Sequence, residues 1–180
     1  MKKMMIAAAL TLAACGQNGS VMDEIERAEN ADAQATQNAA VSSQAFLDQV
    51  RAQAGVEARP SGLLIERRAR GSNQALPRPS ANANVLVHYE GKLADGSVFD
   101  SSFEREEPAD FPLNAVVPGF SEAIQQMRPG DEVVATFPHE LGYGAAGRPP
   151  VIPPAAALQF RIVLLAFQEP GGALVASPPR

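Results

Sequence analysis

His88 and His139 are the only histidines in the 180-residue sequence and Cys15 the only cysteine, so imidazole and thiol groups, the common general bases and zinc ligands, are few. Neither histidine stands at a spacing that suits a zinc site or a catalytic triad, and no glycine-rich loop runs into a helix as phosphate binding requires. Hydrolase, kinase and metalloenzyme chemistries are thereby disfavoured. No metal or cofactor is expected. What remains is an aromatic set of eight Phe and two Tyr, with no Trp, and one unusual segment, "YGAAGRPPVIPP" from Tyr143 to Pro154. Its two Pro-Pro pairs enclose Val151-Ile152 and limit backbone freedom, so those residues can be presented at little ordering cost.

These residues need elements to position them, and the pattern supplies mostly strands. "SGLLIERR" follows Pro60, "NVLVHYEGKL" alternates Val85, Val87 and Tyr89 on one face, and "DEVVATF" and "LQFRIVLLAF" are further β-rich runs bounded by Pro, Gly and Asp. Val85, Val87, Phe137, Ile162 and Leu164 read as core. The Asp-Gly of Ala94–Gly96 lies between apolar runs and predicts a tight hairpin. One segment differs: in "PGFSEAIQQMRPG", Phe120, Ile124 and Met127 fall at i, i+4 and i+7, the stripe of a short helix between Pro118 and Pro129. One such helix among antiparallel strands implies an α+β layer in which a curved sheet wraps the helix.

The N-terminal region is organised otherwise. Lys2 and Lys3 precede the apolar run "MMIAAALTLAA", which fits a secretory signal and is too short to span a bilayer. Cys15 closes "LAAC", which resembles a bacterial lipobox whose cysteine is acylated to become the mature N-terminus; several acyl chains on one residue hold a protein to a membrane stably. Gly16, rather than Asp, follows, and the resemblance to the sorting pattern of Gram-negative lipoproteins implies the outer membrane facing the periplasm. The expected division is a signal over 1–14, a flexible Ala/Gln/Asn-rich tether over 15–40 and a short helical segment over 41–59. The main domain then covers 60–168 and a frayed tail 169–180. Without Lys2 and Lys3 the 15 basic residues fall to 13 against 20 acidic ones, a net charge of −7 that disfavours nucleic-acid binding.

From about Ser61 to Gln168 the segments "VLVHYEGKLADGSVFDSSFEREEPADFPL", "VVPGFSEAIQQMRPGD" and "LGYGAAGRPPVIPPAAALQFRIVLL" resemble, in order and spacing, the FKBP-type peptidyl-prolyl cis-trans isomerases. The resemblance implies an antiparallel half-barrel of five to six strands around one short helix, and an apolar pocket that accelerates rotation of X-Pro bonds in exported proteins. It implies catalytic positions at Tyr89, Phe99, Asp100, Tyr143 and Phe160, with substrate-binding positions at Val116, Val117, Phe120, Ile152, Arg105 and Phe111. Phe99, Phe120 and Phe160 would form the walls and floor for the proline ring. Val117 and Ile152 would offer backbone N–H groups, Tyr143 its hydroxyl, and Asp100 would orient the site with Tyr89 and Arg105. Partners implied are proline-containing unfolded or partly folded chains and macrolide ligands. Three positions depart from the family pattern: Phe120 stands for the usual Trp, Ala109 for a larger apolar residue, and Arg148 for the His of some relatives. A membrane-tethered chaperone holding unfolded chains in the same groove is the alternative function.

Overall fold

A computed structural model describes residues 21–177. Helix α1 (Val21–Arg51) leads into strands β1 (Val56–Ala58), β2 (Leu64–Ala69), β3 (Asn84–Leu93), β4 (Val98–Ser101) and β5 (Ala109–Pro112). A 3-10 turn at Leu113–Ala115 precedes the short helix α2 (Pro118–Ile124); β6 (Glu132–Phe137), a second 3-10 turn at His139–Leu141, β7 (Leu158–Gln168) and β8 (Leu174–Ala176) follow. The chain divides into two compact units between Ala33 and Gln34. In the first, the described residues 21–33 are helical; every strand belongs to the second.

All strand pairs are antiparallel, in the order β1-β2-β6-β7-β3-β4, with β5 on β3 and β8 on β7. The alternation read from the sequence holds: Val85 and Val87 of β3 are buried beside Phe137, Ile162 and Leu164. Ala94–Gly96 form the β3–β4 hairpin, closed by Leu93 N–H to the Ser97 carbonyl at 2.9 Å. Pro118 opens α2, where a missing N–H costs nothing, and the helix buries Gly119, Phe120, Ala123 and Ile124. Met127, expected on the same stripe, is fully buried but lies beyond the helix end.

Two expectations change. The segment 15–40 was expected as a flexible tether with a helix only from about residue 41, whereas α1 begins at Val21. Ala, Glu and Gln dominate this stretch; they are strong helix formers even where few large side chains are available for burial. Only its C-terminal part carries a buried face: Leu47 and Val50 pack with Leu64 and Ala157, and the Ser43 hydroxyl accepts the Ala157 N–H at 2.9 Å. The tail, expected to fray, instead forms β8, whose Val175 pairs with Phe167 of β7 and packs on the core. Residues 1–20, and with them the signal segment and Cys15, lie outside the described residues. Among the described residues no helix is long and apolar enough to cross a membrane.

One buried charge ties the connections together. Asp131, fully buried at the entry to β6, accepts hydrogen bonds from Gly71 N–H at 2.8 Å, Arg128 N–H at 3.0 Å, Gln74 Nε2 at 3.1 Å and Arg67 Nη1 at 2.9 Å. Burial alone would raise its pKa, but these donors and the Arg67 charge outweigh it and hold the carboxyl below its ordinary value.

Candidate functional site

The alternation of β3 sends Tyr89 to the inner face and Glu90 to the outer, and this choice of face separates the two principal hollows of the sheet. The larger, about 510 Å³, lies between the C-terminal part of α1 and the outer sheet face. Its charged groups neutralise one another in adjacent pairs, Glu66–Arg68, Glu90–Lys92 and Glu132–Arg161. The smaller, about 280 Å³, gathers Tyr89 from β3, Phe99 and Asp100 from β4, Phe111 from β5, Ala115, Val116 and Val117 ahead of α2, Phe120, Tyr143, Arg148 and Phe160.

The rings of the smaller cleft brace one another. Phe160 meets Phe120 at 5.1 Å and 76° and Phe99 at 5.5 Å and 88°, while Tyr89 meets Phe120 edge-on at 5.8 Å. Phe111 closes against Phe120 at 5.7 Å, and Phe137 stacks behind Phe160 at 5.7 Å. Edge-to-face contacts of this kind add about 0.5–1.5 kcal/mol each beyond area burial and fix ring orientation. Gly91, paired with Phe160 across the sheet, makes the arrangement possible, because a Cβ there would lie 2.5 Å from the Phe99 ring and 2.8 Å from that of Phe160. Phe120 and Phe160 are almost fully buried, so each offers little more than one face or edge to the cleft.

A polar group stands at the rim. The Tyr89 hydroxyl donates to Asp100 Oδ2 at 2.5 Å, and Arg105 donates from Nη1 to Asp100 Oδ1 at 2.6 Å and from Nη2 to the Tyr89 oxygen at 3.2 Å. Burial raises the Tyr89 pKa, the Asp100 hydrogen bond raises it further and Arg105 opposes both, so the phenol stays protonated. For Asp100, burial pushes upward but the donors Tyr89 and Arg105 prevail and lower its pKa. The Arg105 guanidinium, bonded to Asp100, is held charged more firmly still.

Of the sequence-predicted residues, Tyr89, Phe99, Asp100, Phe111, Val116, Val117, Phe120, Tyr143 and Phe160 line one cleft. Arg105 sits behind it, engaged with Asp100 and Tyr89. Val117 is the N-cap residue of α2; its carbonyl accepts from Phe120 and Ser121, and its own N–H donates to no backbone group among the described residues. Ile152 differs from expectation. It is nearly fully buried, does not line the cleft, and its N–H donates to the Arg148 carbonyl at 3.0 Å, so the amide expected to meet substrate already has a partner. The loop closes on itself through Arg148, and of the two residues between the proline pairs Val151 is exposed and Ile152 buried. Ala115 and Arg148 are lining residues absent from the predicted set. No sequence signal marks Ala115, whereas Arg148 stood out as a departure from the family pattern.

A family model described as FKBP-type peptidyl-prolyl cis-trans isomerase matches residues 77–165. A macrophage infectivity potentiator of Trypanosoma cruzi is 41% identical over 126 residues, 70% of this chain and 63% of that protein. An FKBP-type 22 kDa peptidyl-prolyl cis-trans isomerase of Escherichia coli is 40% identical over 140 residues, 78% of this chain and 66% of that protein. The chain thus spans 63% and 66% of the length of these curated relatives. A crystal structure of a peptidyl-prolyl cis-trans isomerase from Pseudomonas syringae superposes with a TM-score of 0.68 at 33% identity, covering 74% of this chain and 96% of that one. The aromatic cleft, the sheet around α2 and these likenesses agree: the chain belongs to the FKBP-type peptidyl-prolyl cis-trans isomerase family.

Proposed function

We propose that the chain accelerates cis/trans rotation of X-Pro bonds in proline-containing, unfolded or partly folded polypeptides. The observation that carries this reading is the cleft itself: about 280 Å³ walled by Tyr89, Phe99, Phe111, Phe120 and Phe160, with Asp100, Tyr143 and Arg148 also in the lining. The barrier to be lowered, about 18–20 kcal/mol, is loss of amide resonance. In the twisted transition state the carbonyl loses its conjugated dipole, so an apolar cup solvates it better, relative to the planar ground state, than water does. The proline ring rests against Phe120 and Phe160. The Val117 N–H and the Tyr143 hydroxyl stand at the edge as donors for substrate carbonyls, and the Asp100–Tyr89–Arg105 group holds one wall in place. Such a reaction requires no covalent intermediate.

The test is exchange of a short X-Pro peptide followed by NMR with the purified protein. Acceleration that falls at least tenfold in Phe160→Ala supports the reading; exchange at the buffer rate with folded protein overturns it.

The finer reading of place and partners rests on sequence. Residues 1–14 act as an export signal, Cys15 carries the acyl chains, and the mature protein faces the periplasm from the outer membrane, serving exported chains. Mass analysis of the mature N-terminus checks this: an unacylated Cys15 refutes it. Macrolide rings are a further ligand class for the same cleft, checked by displacement of peptide.

A further inference from the structure

Arg148 is an exposed cation on the cleft's edge, and its side chain enters none of the ion pairs formed among the described residues. Its mount is firm. Arg148 N–H donates to the Ile152 carbonyl at 2.8 Å and its carbonyl accepts from Ile152 N–H at 3.0 Å. The preceding Gly147 has φ +65°, and a Cβ there would lie 2.3 Å from the Pro153 carbonyl oxygen, so the turn below Arg148 is closed against its own backbone. The guanidinium therefore projects from a fixed point on a proline-stiffened loop.

The other charges of the site are committed elsewhere. Asp100 lines the cleft but is engaged by Tyr89 and Arg105, and Arg105 is in turn neutralised by Asp100. Glu104, Glu106, Glu107 and Asp110, on the segment from β4 to β5, are exposed and do not line the cleft. Asp100, Arg105 and Arg148 together thus leave one positive charge at the cleft, that of Arg148, once Asp100 is paired with Arg105, in a chain of formal net charge −5. A proline seated in the cup places its neighbouring residue only about 3.3–3.6 Å further along the chain, within reach of an extended arginine. Guanidinium pairs with a carboxylate in two parallel hydrogen bonds, which a lysine or a neutral side chain cannot reproduce.

We infer that Arg148 is a specificity-determining residue that favours substrates bearing a carboxylate side chain next to the proline. This rests on the isomerase reading above and adds the substrate class. An edge contact in water is modest and salt-sensitive, so the effect belongs in a ratio of rates between matched peptides.

The experiment measures kcat/KM for Glu-Pro, Gln-Pro, Leu-Pro and Lys-Pro peptides, and for Pro-Glu against Pro-Gln, with wild type and with Arg148→Gln and Arg148→Lys, at low and high salt. Wild type is expected to prefer Glu over Gln on at least one side of the proline by about two- to fivefold. That ratio falls to about one in Arg148→Gln and at high salt, and is only partly restored in Arg148→Lys. A Glu/Gln ratio of one or less on both sides in wild type, or a preference that survives Arg148→Gln, overturns the inference while the Leu-Pro rate still supports isomerase activity. No acceleration of any peptide overturns both.

Discussion

Asp100 shows how much of the site depends on single atoms, because its two oxygens divide between Tyr89 and Arg105. Asp100→Asn keeps the shape but loses the charge that aligns both donors, and kcat/KM for an X-Pro peptide is expected to drop roughly tenfold, about 1.4 kcal/mol of transition-state stabilisation. The pH dependence has a definite sign. The folded-state pKa of Asp100 is lowered, so whatever its ionised form contributes is present above the unfolded carboxylate value and is lost as pH falls through the lowered value. Activity is expected to stay level from neutral pH into the carboxylate range and to fall only below it, and that acid limb disappears in Asp100→Asn. Ile152 marks what sequence could not convey at this scale. Its type and its place between the proline pairs matched a substrate-facing amide, but whether an N–H is free depends on which carbonyl the turn brings beneath it. Here that is Arg148, four residues back.

At the scale of elements, the contacts that matter run between connections that sequence reads only as loops. Asp131 holds the stretch after β2, through Gly71 and Gln74, to the turn before β6. Asp131→Ala leaves the buried Gly71 N–H and the Arg128 N–H without this acceptor and Arg67 without its counter-charge, and is expected to cost about 3 kcal/mol in denaturant unfolding. Because its folded pKa is lowered, wild-type stability should decline as pH falls below the unfolded carboxylate value, and Asp131→Asn should flatten that decline. Ser43 does a smaller version of the same work by joining α1 to Ala157 just before β7; Ser43→Ala should cost about 1–2 kcal/mol, measured by thermal unfolding. The strands were legible because period-2 alternation is a direct image of a two-faced sheet, as at Val85, Val87 and Tyr89. The early start of α1 was not, since its Ala, Gln and Glu favour helix without the apolar stripe by which helices are usually recognised. Nor was β8, whose three residues are strand only because β7 offers an edge to pair with.

For the molecule as a whole, every residue lining the aromatic cleft falls within the unit from Gln34 onward. A chain beginning at Gln34 is therefore expected to isomerise a short peptide within about twofold of the full chain; a loss greater than tenfold would place part of the active machinery in the earlier residues. The site's membership was readable largely through resemblance, because rings that meet in space are spread from Tyr89 to Phe160 and no local pattern links them. Their convergence depends on β7, which inserts between β3 and β6 and carries Phe160 to the middle of the cup. That strand is also the last long one in the chain. During synthesis the cleft is consequently incomplete until β7 has emerged, and the proposed activity is expected to switch on at one late docking event rather than to grow by degrees. A refolding time course should show catalysis appearing together with the main gain of strand signal, because β7 pairs with β3, β6 and β8 in the same docking.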